Sequence, residues 1–283
     1  MREHIEYFRP TTVDEAVAAL TDEAGIIAGG TDMMIDLRSG SFKGSRLVDV
    51  TGIEELRVLK EEGDTVIVGA GVKIEELRSN ELVRTKLPAL AQAANKFAGL
   101  QVRNQATIGG NVGHAAPCGD THPPLILYDG VAEVAGPGGR EMRPVAELFS
   151  GPNRSALKAG ELLVRFILKP DTAALVDFQK IGRRKDLAIS RVSLAVLADK
   201  NDKGLISRAK VVLGACMPTT RRMPRTEEFL NGQAPSLAVF REAAGLMAAE
   251  MIEVTGRRPS LAYKEPAIQG LLMRMLLPLI RRF

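Results

Sequence analysis

Tryptophan is absent from this 283-residue chain, cysteine occurs twice, and aromatic residues make up only 4%. Each scarcity excludes something. Without tryptophan and with few other aromatics, there is little from which to build a base-stacking platform for nucleic acid. Net charge is +4, but Lys and Arg are dispersed among 34 acidic residues and cluster only at Arg183-Arg184-Lys185, Arg221-Arg222 and Arg281-Arg282. Such a surface suits an anionic small molecule or another protein better than nucleic acid. Cys118 and Cys216 lie far apart in sequence, which rules out a disulfide framework and fits a reducing compartment. Two thiols are also too few for the usual four-cysteine iron–sulfur cluster. No run of about 20 apolar residues could span a bilayer. The opening MREHIEYFRP lacks the basic-then-apolar order of a secretory signal, so the expected compartment is the cytoplasm.

The length allows two or three compact units, which together can bury roughly three quarters of the unfolded surface. A strand at 5–8 ends at Pro10. Thr12-Val13-Asp14-Glu15 then introduces Ala16, Val17 and Leu20 at helical spacing. A short buried strand at 25–28 closes in Gly29-Gly30, a helix or turn starts at Thr31, and 46–50 reads as a third strand. That is a βαβ-like unit of about 50 residues. A second unit opens with a strand at 56–59, turns at 61–64 and returns through 65–68 into Gly69-Ala70-Gly71. Helical spacing marks 74–78 and 87–97, glycine punctuates 99–120, and short strands follow at 131–134 and 162–168. Composition shifts near 170–176. Strands at 177–181, 191–199 and 209–216 suggest a small antiparallel sheet, and helices follow at 225–230, 237–252 and 261–282. The expected division is 1–175, with subdomains 1–55 and 56–175, then 176–283. The terminal GLLMRMLLPLIRR is broken by Pro278 and reads as a helix packed on the C-terminal domain, not a membrane-surface segment.

Two glycine loops carry the chemistry. In AGGTD, Ala28 to Asp32, a strand delivers two residues without Cβ, so backbone N–H groups can approach an anion while Thr31 or Asp32 caps the next helical turn. The Asp32 carboxylate would repel a diphosphate and is expected to turn toward local amides or a ligand hydroxyl. TIGGN, Thr107 to Asn111, offers a second amide cluster with side-chain donors and acceptors from Thr107 and Asn111. Either loop alone is no more than a strand-ending turn. Val66-Ile67-Val68-Gly69-Ala70-Gly71 starts like a Rossmann fingerprint, but position 74 is Ile, where that motif needs its third glycine, so a structural turn is the better account. No P-loop occurs. His114, Cys118, Asp120 and His122 fall within nine residues, yet Pro117, Gly119 and Pro123-Pro124 prevent a regular helix from presenting them on one face. A polar loop beside a ligand accounts for them better than a metal site or a nucleophilic Cys118.

Taken together, IIAGGTDMMIDL, KFAGLQVRNQATIGGNVGHAAPCGDTHPPLILYD, GELLV, FQKIGRRKDLAISRVSLAV, VVLGACMPTTRR and LAYKEPAIQGLLMRML resemble the FAD-binding medium subunit of molybdenum hydroxylases. That family includes xanthine dehydrogenase, carbon monoxide dehydrogenase and relatives acting on N-heterocycles or aldehydes. The resemblance covers essentially the whole chain and implies an α+β architecture. A flavin fold of the vanillyl-alcohol-oxidase type, made of two α/β subdomains, would be followed by a domain of antiparallel sheet plus helices. It further implies that Ile27, Ala28, Gly29, Gly30, Thr31, Asp32, Met33 and Met34, with Thr107, Ile108, Gly109, Gly110 and Asn111, hold the diphosphate, ribose and ribityl parts of FAD. Phe97 and Asp120 match further contact positions. Leu163 and Lys180, or Gln179 one residue earlier, would approach the isoalloxazine, as would the loop 182–190. No histidine lies in AGGTD, so the flavin is expected to be held non-covalently.

By the same resemblance, iron–sulfur clusters on a small subunit and molybdenum on a large subunit lie on partner chains. NAD or another acceptor takes the electrons, no catalytic acid, base or metal ligand is expected here, and the assembly is a dimer of heterotrimers. The alternative is a stand-alone flavin oxidoreductase of related fold that acts directly on a small molecule.

Overall fold

The computed structural model describes residues 4–185 and 187–280. Its first unit is a parallel three-stranded sheet of β1 (Glu6–Phe8), β2 (Ala24–Ile27) and β3 (Arg46–Asp49), in the order β1-β3-β2. Helices α1 (Val13–Ala19) and α2 (Met33–Ser39) form the crossovers. Thr12 and Glu15 exchange the hydrogen bonds of a capping box at the start of α1, satisfying N–H groups that a first turn otherwise leaves open. Val13, Ala16 and Ala19 form the buried stripe of α1 and share a core with Val48, Val50 and Ile53.

The second unit is antiparallel. β4 (Leu59–Glu62) and β5 (Thr65–Gly69) precede six helices: α3 (Ile74–Ser79), α4 (Glu81–Lys86), α5 (Pro88–Lys96), α6 (Leu100–Arg103), α7 (Ile108–His114) and α8 (His122–Leu127). Strands β6 (Val131–Gly136) and β7 (Gly139–Pro144), a small hairpin of β8 (Phe149–Gly151) and β9 (Arg154–Ser155), and β10 (Leu162–Leu168) follow. The main sheet runs β4-β5-β10-β6-β7.

The strand expected at 56–59 is displaced. Glu54–Arg57 form a 3-10 turn because Leu56 plugs the first core at 2% exposure and its carbonyl is tied to Gly71 N at 2.7 Å. Helices α4, α6, α7 and α8 lie where helical spacing is not legible. Each spans one or two turns and depends on caps and packing. Asn80, for example, accepts from Leu82 N at 2.9 Å to start α4, and Pro123 sits in the first turn of α8, where its missing N–H is harmless.

The last unit is a meander of β11 (Leu175–Ile181), β12 (Val192–Lys200), β13 (Ile206–Leu213) and β14 (Arg221–Arg222). Helices α9 (Pro224–Leu230), α10 (Leu237–Thr255) and α11 (Leu261–Leu276) follow it. β12 is buried on both faces, which explains its near-continuous apolar run. Val192, Leu194, Val196 and Ala198 join the core beneath the C-terminal helices. Ala195 and Leu197 point the other way, into the core of the second unit. The C-terminal sheet is thus a wall shared by two cores. The helix expected over 261–282 stops at Leu276 and gives way to a 3-10 turn, Leu277–Leu279, where Pro278 cannot continue the α ladder. Residues 281 and 282 lie outside the described residues. Among the described residues no helix is long and apolar enough to cross a membrane.

Candidate functional site

A cavity of about 470 Å³ lies between the first unit and the helices of the second. Ala28, Gly29, Gly30, Thr31, Asp32 and Met33 form one wall. Thr107, Gly109, Gly110 and Asn111 face them, with Phe97 and Leu163 also on the lining. Ile27, Met34, Ile108, Asp120 and Lys180 are not among the lining residues. Ile27 packs beneath Gly30, Met34 is 42% exposed on α2, and Ile108 is fully buried beneath α7.

The two glycine loops differ in how they use their backbone. A Cβ on Gly29 would stand 1.9 Å from the Gln105 carbonyl oxygen, so the strand ending at β2 and the segment leading into α7 meet backbone to backbone. Gly30 has φ +71°, a left-handed turn that glycine adopts without strain. After this turn, no protein acceptor is found among the described residues for the N–H groups of Gly29, Gly30, Thr31, Asp32 or Met33. Helical bonding resumes with Met34 N donating to Gly30 O at 3.0 Å. Consecutive unspent amides on a cavity wall form a receptor for anionic oxygens.

Asp32 occupies the N-cap of α2 but is in the helical region (φ −101°, ψ −48°) and makes no cap bond. A capping side chain reaches back from an extended residue, so the expected capping by Thr31 or Asp32 does not occur. The Asp32 carboxylate instead lies 3.9 Å from His114 Nε2.

In TIGGN four of the five amides are committed within the protein. Ile108 N donates to Val72 O at 3.0 Å, Gly109 N to Ala70 O at 2.8 Å and Asn111 N to Thr107 O at 3.0 Å. Gly110 N donates to Thr107 Oγ1 at 3.0 Å. The amide cluster expected there is therefore the capped first turn of α7, and the Gly69-Ala70-Gly71 turn is its support. A Cβ on Gly109 would stand 2.6 Å from that of Ala70. What α7 presents to the cavity is bare glycine surface at Gly109, Gly110 and Gly113, together with Asn111 and His114.

Several positioning residues had no sequence signature. Lys73 Nζ holds the Gln105 carbonyl at 2.8 Å, and burial lowers the Lys73 pKa from its ordinary value. Arg103 donates to the Phe97 and Ala98 carbonyls at 3.1 and 3.2 Å and pairs with Glu75 at 2.6 Å. It thereby fixes the turn at Ala98, whose φ is +34°. Residues 155–162 close the far side of the cavity, where Arg143 holds Glu161 at 2.5 Å and keeps its carboxyl below the usual pKa.

Asp120 is buried against two partners, Lys180 Nζ at 2.6 Å and Ser190 Oγ at 2.5 Å. Burial pushes its carboxyl pKa up, and Lys180 opposes that shift. Gln179 turns the other way, toward Lys96 at 2.5 Å. The loop 182–190 comes back over the Phe97 turn, with Leu187 Cδ2 3.1 Å from where a Gly99 Cβ would lie. Asp186 lies outside the described residues. His122 is not available to a ligand, since its Nε2 is 3.1 Å from the Asn111 carbonyl. Cys118 is half-buried, and burial raises its thiol pKa. No cluster of three or more potential metal ligands occurs among the described residues.

A row of free amides facing a glycine-lined helix across the cavity is a receptor suited to an anionic ligand such as a dinucleotide. Residues 3–170 match the family described as the FAD binding domain in molybdopterin dehydrogenase. Residues 177–279 match the CO dehydrogenase flavoprotein C-terminal domain. The chain belongs to this family, and its cofactor is FAD.

Among its relatives, the carbon monoxide dehydrogenase medium chain of Hydrogenophaga pseudoflava is 32% identical over 84% of this chain and 84% of its own. The nicotinate dehydrogenase FAD-subunit of Eubacterium barkeri is 26% identical over 97% of this chain and 96% of its own. A solved structure of carbon monoxide dehydrogenase from Hydrogenophaga pseudoflava superposes with a TM-score of 0.86 at 28% identity, covering 98% of this chain and 96% of that one.

Proposed function

We propose that this chain is the FAD-carrying electron-transfer subunit of a cytoplasmic molybdenum hydroxylase. It would receive electrons from iron–sulfur clusters on a small subunit, which draw them from substrate at molybdenum on a large subunit, and pass them to NAD or another acceptor. The observation that carries the reading is the run of free amides at residues 29–33 on the wall of the cavity. Bound FAD supplies two-electron chemistry, and the chain supplies position and electrostatics.

In this reading residues 28–33 hold the diphosphate, and Thr107, Gly109, Gly110 and Asn111 take the ribose and ribityl portion. Phe97 and Leu163 line the flavin end, and the Asp120–Lys180 pair, buried behind the 118–122 turn, completes the set. The domain division at 175/176 and a dimer of heterotrimers belong to the same proposal.

Two measurements test it. Apo chain titrated with FAD should form a yellow complex that survives gel filtration. Purification from the native host should bring down an iron–sulfur chain and a molybdenum chain, with NAD reduction assayed on the complex. A lone chain, free of iron and molybdenum, that oxidises or reduces a small molecule with bound FAD would favour a stand-alone oxidoreductase instead.

A further inference from the structure

Asn111 is gripped from behind by the turn leading into α8. Its backbone carbonyl lies 3.1 Å from His122 Nε2, which must donate because a carbonyl can only accept. Its side-chain Oδ1 accepts from Thr121 Oγ1 at 2.7 Å. Thr121 is 0% exposed, and among the described residues its hydroxyl has no partner besides Asn111 Oδ1.

That solitude decides which way the amide faces. Were the Asn111 amide reversed, the hydroxyl would accept from the NH2 group, and its own proton would be buried without an acceptor, which is strongly disfavoured. With Oδ1 fixed on Thr121, the NH2 group is left facing the cavity that Asn111 lines, and it has no protein partner among the described residues.

We propose that Thr121 is a positioning residue that locks Asn111 as a hydrogen-bond donor toward an acceptor oxygen of the bound dinucleotide. In a helix whose amides are spent, this side chain is a donor that α7 contributes beside His114. The inference rests on the FAD reading of the cavity.

The test is a double-mutant cycle on the full chain, with FAD affinity read by quenching of flavin fluorescence and folding checked by thermal melting without FAD. Thr121→Val should weaken FAD about tenfold, the worth of one hydrogen bond, and Thr121→Ser should restore it. In an Asn111→Ala background, Thr121→Val should have no further effect. Asn111→Asp keeps an acceptor for the Thr121 hydroxyl but removes the NH2 donor, so it should lose at least as much. It also keeps the test decisive if Thr121→Val folds poorly. Wild-type chain that binds no FAD would sink the cavity reading and this inference with it. Wild-type binding with unchanged affinity in Thr121→Val or Asn111→Asp would overturn the inference alone, as would an equal loss from Thr121→Val in both backgrounds.

Discussion

Lowering the pH should unfold this protein partly through one side chain, His122. His122 is 1% exposed, its ring lies tilted against Phe149 with centroids 4.5 Å apart, and it occupies the space above Gly119, where a Cβ would collide with it at 2.2 Å. Burial, opposed by the hydrogen bond to the Asn111 carbonyl, lowers its pKa from 6.5 to about 4. As pH falls through 6.5 the unfolded chain takes up a proton that the folded chain refuses until about pH 4. In that window the unfolded state binds more protons, so stability drops with pH. Above 6.5 the group contributes no pH dependence. Across the whole window the loss amounts to about 3 kcal/mol, a large share of the roughly 5–15 kcal/mol that holds a typical domain folded.

The assay is urea unfolding of the wild type and His122→Gln at several pH values from about 8 down to 4.5. Glutamine stays neutral and keeps an N–H donor for the Asn111 carbonyl. Asp120, whose carboxyl pKa is raised by burial, is common to both proteins. The stability of wild type relative to the variant should decline by about 1.4 kcal/mol per pH unit below 6.5. A difference that stays constant over this range would refute the buried, neutral imidazole.

Glycine changes should separate packing from cofactor contact. Gly29→Ala forces the two loops apart, since the new methyl overlaps the Gln105 backbone. The expected outcome is a loss of about 1–3 kcal/mol in urea unfolding and more than tenfold weaker FAD binding, and unchanged FAD affinity would remove the contact from the argument. Gly113 lines the cavity, and its added Cβ would meet only Leu163, at 4.0 Å. Gly113→Ala should therefore raise the stability of the FAD-free chain by about 0.5–1 kcal/mol through helix propensity while weakening FAD, and tighter binding would contradict the placement. Tyr128 Oη accepts from Ala89 N at 3.1 Å within the core. Tyr128→Phe leaves that N–H unpaired and should cost about 1–3 kcal/mol in urea unfolding with FAD affinity unaltered.

Local chemistry and hydrophobic spacing were enough to read much of this protein from its sequence. The capping box at Thr12 and Glu15, the strand that closes in Gly29-Gly30, and the two-sided apolar run of β12 all depend on neighbours within a few residues, so they are legible in one dimension. The order of several motifs together was enough to indicate the family. Tertiary structure decided what each loop does with its backbone. In AGGTD the chain turns left-handed at Gly30, and the N–H groups of 29–33 meet no protein acceptor among the described residues. TIGGN spends two amides locally on Thr107 and two on the carbonyls of Ala70 and Val72, more than thirty residues earlier. The Asp120–Lys180 pair, 60 residues apart, and the hold of Lys73 on Gln105, 32 apart, left no periodic trace for the same reason. Hydrogen bonds between distant segments depend on where the sheets and helices bring the chain together, and no local pattern of residue types records that.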